Sequence, residues 1–117
     1  MWQKNYFNSG NQSYKRGDLE GALSSYGKVL DIDKTFYQAN YQIGVIQSKM
    51  GDKDAAVQSY ENALAVNPQF FKGYFALGLA KKSMNDIDGA IGALESAVDI
   101  HPGYDKAYGA MGDIYIG

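Results

Sequence analysis

Apolar residues return at three- and four-residue spacing along most of the chain. Leu19, Ala22, Leu23, Tyr26, Val29 and Leu30 form one such stripe, the pattern of a helix that buries one face. Short polar breaks separate the stripes, at Gly17-Asp18, Asp33-Lys34-Thr35, Gly51-Asp52, Asn67-Pro68, Asn85-Asp86 and His101-Pro102-Gly103. The breaks themselves recur. Shifting Tyr37–Phe70 by 34 residues lays Gly51-Asp52 on Gly17-Asp18 in one direction and on Asn85-Asp86 in the other. Gly44 then falls on Gly10 and Gly78, Ala56 on Ala22 and Ala90, and Phe70 on Phe36 and Tyr104. A fixed period of this size marks a repeat array.

The pattern predicts repeats over 3–36, 37–70 and 71–104, each a pair of helices, and a terminal helix over 105–117. Helices are expected over 3–16, 19–32, 38–50, 53–66 and 87–100, with another leading into the Asn85-Asp86 turn. Asp18, Asp52 and Asp86 are placed to accept from the orphan N–H groups that open the second helices. Pro68 disfavours helix at Asn67 and cannot continue one. One hairpin cannot bury both its faces, so each must stack on its neighbours. Gly10, Gly44, Gly78 and Gly112 sit mid-helix, where glycine costs roughly 1 kcal/mol against alanine. The repeated cost predicts close helix approach, with Ala22, Ala56 and Ala90 as the small partners. Gly21, Gly27, Gly73, Gly89, Gly92 and Gly109 have no such explanation in the pattern.

Composition narrows the function classes. The net charge is −2 and Arg16 is the single arginine, which argues against a nucleic-acid partner. There is no cysteine and one histidine, His101, in a Pro-Gly break. No metal site, cofactor or catalytic residue is therefore expected. Arg16-Gly17-Asp18 spells an adhesion tripeptide, but its column reads as helix turn plus N-cap. No run of apolar residues is long enough for membrane insertion, and MWQKNYF lacks an apolar signal core. The expectation is a soluble chain whose compartment no residue specifies.

The 34-residue period, the Gly-Asp turn and the columns Leu77-Gly78, Ala90, Ala97 and Pro102 resemble tetratricopeptide repeats. The second repeat matches closely in Ile43-Gly44, Gly51-Asp52, Ala56, Tyr60, Ala63 and Pro68. The first departs, with Ser9, Ser13 and Lys34 where the family prefers leucine, tyrosine and proline. The fourth unit matches in Tyr108, Met111-Gly112 and Tyr115. The resemblance implies an all-α fold, a right-handed superhelix of antiparallel hairpins (an α-solenoid) with seven helices, forming one domain over 1–117.

It also implies a protein or peptide partner in a concave groove lined by the first helices. Carried onto this sequence, the groove residues are Lys4, Phe7, Asn11 and Tyr14; Gln38, Tyr41, Gln42, Val45 and Lys49; and Lys72, Phe75, Leu79 and Lys82. Phe7, Tyr41 and Phe75 form one aromatic column. They read either as the floor of a groove with a lysine rim or as rings half-packed against the next repeat. Some relatives hold a chaperone's terminal carboxylate with five polar side chains. Here Asn11 and Lys72 match, but Phe7, Gln42 and Ala76 replace the other donors, so such a clamp is not expected. The competing expectation is a structural or oligomerisation segment of a larger array, self-associating through the terminal helix near Ile114 and Ile116.

Overall fold

The computed structural model describes residues 2–116, without the Ile116 side chain. Seven helices and no strand occur among the described residues: α1 (Trp2–Lys15), α2 (Leu19–Ile32), α3 (Tyr37–Lys49), α4 (Lys53–Val66), α5 (Phe71–Ser83), α6 (Ile87–Ile100) and α7 (Asp105–Ile116). The expected helix ends hold to within a residue. Gly117, the last position expected of the terminal helix, lies outside the described residues.

Local chemistry sets the helix starts. Asp18 and Asp86 accept from the Gly21 and Gly89 N–H groups at 3.0 and 3.1 Å, and Asp52 accepts from Ala55 at 3.4 Å. The turns before these caps need a left-handed residue. Gly17 and Gly51 provide it at φ 81° and 84°, and Asn85 takes the same place at φ 66°. In the links, the Asp33 carboxylate accepts from the Thr35 N–H and hydroxyl. These bonds hold its pKa below the ordinary value. Asn67 accepts from the Gln69 N–H at 3.1 Å, so an Asx turn stands at the first two of the three links.

α1 packs on α2, α3 on α4 and α5 on α6, while α2 meets α3, α4 meets α5 and α6 meets α7. The result is an all-α solenoid of 44 × 26 × 21 Å. Its core falls into three successive clusters, centred on Tyr26 and Ile46, on Tyr60 and Leu77, and on Leu94 and Ala107.

The close approach at the mid-helix glycines is real, but the expected partners are corrected. A Cβ on Gly10 would stand 2.6 Å from the Tyr26 ring, one on Gly44 2.5 Å from Tyr60, and one on Gly78 2.8 Å from Leu94. The side chain that fills the gap thus lies four residues beyond the expected alanine. Ala22, Ala56 and Ala90 are fully buried, and the Ala90 carbonyl oxygen stands 3.2 Å from a Cβ built on Gly78. Gly112 is a second correction, since among the described residues a Cβ there would meet nothing within 4 Å. Three glycines left without a reason by the pattern acquire one. Gly21 and Gly89 press against the capping carboxylates of Asp18 and Asp86, and Gly73 lies against Phe70 and Leu64.

Candidate functional site

The aromatic column is built by a second recurrence, 29 residues long. Phe7 packs on Phe36 at 5.0 Å between ring centroids, Tyr41 on Phe70 at 5.1 Å, and Phe75 on Tyr104 at 5.3 Å. The last two pairs are edge-to-face, a geometry aromatic quadrupoles favour. Phe7 also meets Tyr26, and Tyr41 meets Tyr60. Each ring of the column is half-buried, so part of its surface belongs to the core.

Tyr41 and Phe75 nevertheless keep a face toward a cleft between α3 and α5. The cleft has a volume of about 270 Å³ and is lined by Tyr41, Val45 and Ser48 from α3, by Tyr60 from α4, and by Phe75, Ala76, Leu79, Ala80 and Ser83 from α5. Leu79 is 40% exposed, an apolar side chain held at the mouth. Burial raises the Tyr41 phenol pKa above its ordinary value, with the Tyr104 and Tyr14 phenols adding to the effect. Burial likewise pushes Tyr60 up. The floor is therefore uncharged at neutral pH.

Of the thirteen residues named from the sequence, Tyr41, Val45, Phe75 and Leu79 come together at this cleft. The others do not. Phe7 belongs to the core of the first hairpin. Asn11 accepts a short hydrogen bond from the Tyr26 hydroxyl, which occupies one of the two polar residues the sequence shares with a carboxylate clamp. Tyr14 is half-buried, with the Lys49 ammonium 5.9 Å from its ring centroid, a cation–π contact between repeats. Lys4, Gln38 and Lys72 are exposed and Gln42 is half-buried. Lys82 lines a different depression of about 490 Å³, with Asn85, Ile87, Asp113 and Ile114.

One feature escaped the sequence reading. A depression of about 430 Å³ lies between α2 and α4, lined by Leu30, Asp31, Lys34, Asn40, Asn62 and Ala65. Asn40 is buried there at the column filled by tyrosine in Tyr6, Tyr74 and Tyr108. That break in the column was the available signal. Among the described residues no three His, Cys, Asp or Glu side chains are grouped to hold a metal ion. No helix of the described residues is long and apolar enough to cross a membrane.

Comparison with known proteins agrees with this architecture. Family profiles described as TPR repeat and tetratricopeptide repeat match residues 10–51, 37–70 and 73–104. The chain belongs to the tetratricopeptide-repeat family. A crystal structure of MamA superposes with a TM-score of 0.93 at 30% identity, covering 98% of this chain and 67% of that one. Another MamA structure gives 0.88 at 26% identity, covering 97% of this chain and 62% of that one. The chain thus spans about two thirds of the length of these MamA chains. The first TPR domain of Spaghetti (RPAP3), bound to the HSP90 peptide SRMEEVD, gives 0.94 at 19% identity, covering 97% and 90% of the two chains. At that identity the likeness is one of fold. No curated protein sequence matches the chain significantly. Family and neighbours together support a protein–protein interaction module in general terms, of a family whose members are typically non-enzymatic.

Proposed function

We propose that the chain binds an extended peptide segment of a partner protein across α3 and α5, seating an apolar side chain in the cleft of Tyr41, Val45, Phe75 and Leu79. The cleft carries the reading. Small-molecule pockets run from about 300 to 1,000 Å³ and enclose most of their ligand. An open cleft of about 270 Å³ suits one or two side chains of a peptide instead. An apolar anchor in such a pocket, ringed by polar contacts, is how peptide interfaces concentrate their affinity. Lys72 stands exposed on α5 and supplies a basic group for an acidic residue of the peptide, while the Lys49 ammonium of α3 lies over Tyr14. The Spaghetti domain, a protein of the same fold, is bound to a peptide, which supports this type of occupant without carrying over its sequence.

The test is a displayed library of short peptides selected on the whole chain and re-assayed on Leu79→Asp. The expected result is a set of binders sharing an apolar anchor, lost on Leu79→Asp while the helical circular dichroism and melting midpoint stay. An empty selection, or binders indifferent to Leu79→Asp, would remove the reading.

A further inference from the structure

The three hairpins differ at one cross-helix pair. In the first, Asn11 of α1 accepts from the Tyr26 hydroxyl of α2. In the third, the corresponding residues are Leu79 and Leu94, both apolar. The second hairpin keeps the donor and lacks the acceptor: Tyr60 stands where Tyr26 does, and Val45 takes the place of Asn11. The Tyr60 side chain is 3% exposed, and its hydroxyl makes no hydrogen bond among the described residues. Every side-chain oxygen or nitrogen sealed from solvent among those residues has a partner, so this hydroxyl is not sealed. It opens on the cleft between α3 and α5, which Tyr60 and Val45 both line. Burial raises its pKa, with the Tyr41 and Tyr14 phenols adding to the effect, so it keeps its proton and stands ready to donate. On α5, the Ser83 hydroxyl of the same cleft donates to the Ala80 carbonyl at 2.6 Å. Its oxygen has only lone pairs left to offer.

We infer that the peptide bound across α3 and α5 presents an asparagine or glutamine beside its apolar anchor, and that its carboxamide oxygen accepts from the Tyr60 hydroxyl. The partner thereby supplies the acceptor that Asn11 supplies to Tyr26 within the first hairpin. This rests on the peptide reading of the cleft and adds a polar determinant to it. A carboxamide also carries N–H groups, which the Ser83 oxygen is able to accept. An aspartate or glutamate is the wrong occupant. No charged residue lines the cleft, so a carboxylate there would lose its water without gaining a cation, and it offers Ser83 no donor. A wholly apolar insert would strip water from the Tyr60 hydroxyl and leave it unpaired, which costs affinity.

The probes are the peptides selected on the whole chain, resynthesised with each asparagine or glutamine replaced in turn by leucine or methionine. The binders are expected to carry a carboxamide near the anchor, and replacing that one residue should weaken binding about tenfold. Tyr60→Phe, which deletes only the hydroxyl, should weaken the original peptide to the same extent and bind the replaced peptide as the unaltered chain does. Without peptide, Tyr60→Phe should leave the melting midpoint in place, because no bond within the chain is lost. Tyr26→Phe should lower it, because the bond to Asn11 is lost. The inference is overturned if binders that need Leu79 carry no carboxamide, or if Tyr60→Phe binds them as the unaltered chain does; in both cases the peptide reading stands. It is also overturned if Tyr60→Phe lowers the midpoint as far as Tyr26→Phe, which would mean a partner for the hydroxyl in the free chain. A loss of binding on Tyr60→Phe that no carboxamide replacement reproduces would overturn it too, since a main-chain carbonyl would then be the acceptor. An empty selection, or binders indifferent to Leu79→Asp, would remove the peptide reading and this inference with it.

Discussion

The ring of Tyr60 lies across the backbone of Gly44, so close that a Cβ there would stand 2.5 Å from its Cε1 atom. A methyl group at this point forces a buried ring off its rotamer, which costs about 1–3 kcal/mol. Alanine's better helix propensity returns roughly 1 kcal/mol. Gly44→Ala should therefore lower the guanidinium midpoint, whereas Gly92→Ala and Gly112→Ala, where a Cβ meets nothing within 4 Å among the described residues, should raise it. If the three variants moved together, the ring contact would not be what keeps Gly44.

Phe7 and Leu79 separate core from cleft. Phe7 packs between Tyr26 and Phe36. Phe7→Ala should destabilise by about 2 kcal/mol, roughly half the loss for a fully buried ring. Leu79→Ala should change stability by less than about 0.5 kcal/mol, as surface substitutions do. Thermal melts of both, read beside capture of a selected cleft-binding peptide, should show Phe7→Ala losing stability and Leu79→Ala losing affinity.

Alkaline pH should unfold the chain in a defined window. Burial raises the Tyr26 phenol to about 12 from the ordinary 10.0, with the nearby Tyr14 phenol adding to it. Tyr60 is shifted in the same direction. Above pH 10 the unfolded chain releases these protons while the folded chain retains them. The stability they confer is thus complete below about pH 10 and falls steadily toward pH 12. Melting midpoints should decline across that range, and Tyr26→Phe should flatten the decline. A midpoint constant from pH 9 to about pH 12 would contradict the shift.

Asn85 holds φ 66° where the two earlier turns use glycine. Glycine occupies that region without a Cβ clash, and asparagine tolerates it better than alanine does. Asn85→Gly should be neutral or stabilising by up to about 1 kcal/mol, and Asn85→Ala should destabilise by about 1 kcal/mol. Urea denaturation of the pair checks the order.

The repeat, its helices and its caps were legible because each depends on residues close in sequence. Asp18, Asp52 and Asp86 reach only three residues, to Gly21, Ala55 and Gly89. What lay hidden depends on where a neighbouring helix puts its side chains. Phe7, Tyr41 and Phe75 are one column in sequence. The two later rings border the cleft, while the first, equally half-buried, packs on the first hairpin's core and lines no such cleft. The identity of a ring does not tell which of its sides will be covered. The glycine partners illustrate the same limit. Close approach at Gly10 and Gly44 followed from recurrence, but the offset from Ala22 to Tyr26 is a matter of how the two helices cross. Asn11 reads from the sequence as a groove residue, and its bond to Tyr26 comes from the facing helix.

Phe36, Phe70 and Tyr104 have one more property. Each precedes a first helix, and each leans back on the first helix of the repeat before it. In an array where units touch mainly their neighbours, these three rings act as hasps, each fastening the start of the next repeat to the first helix of the one before it.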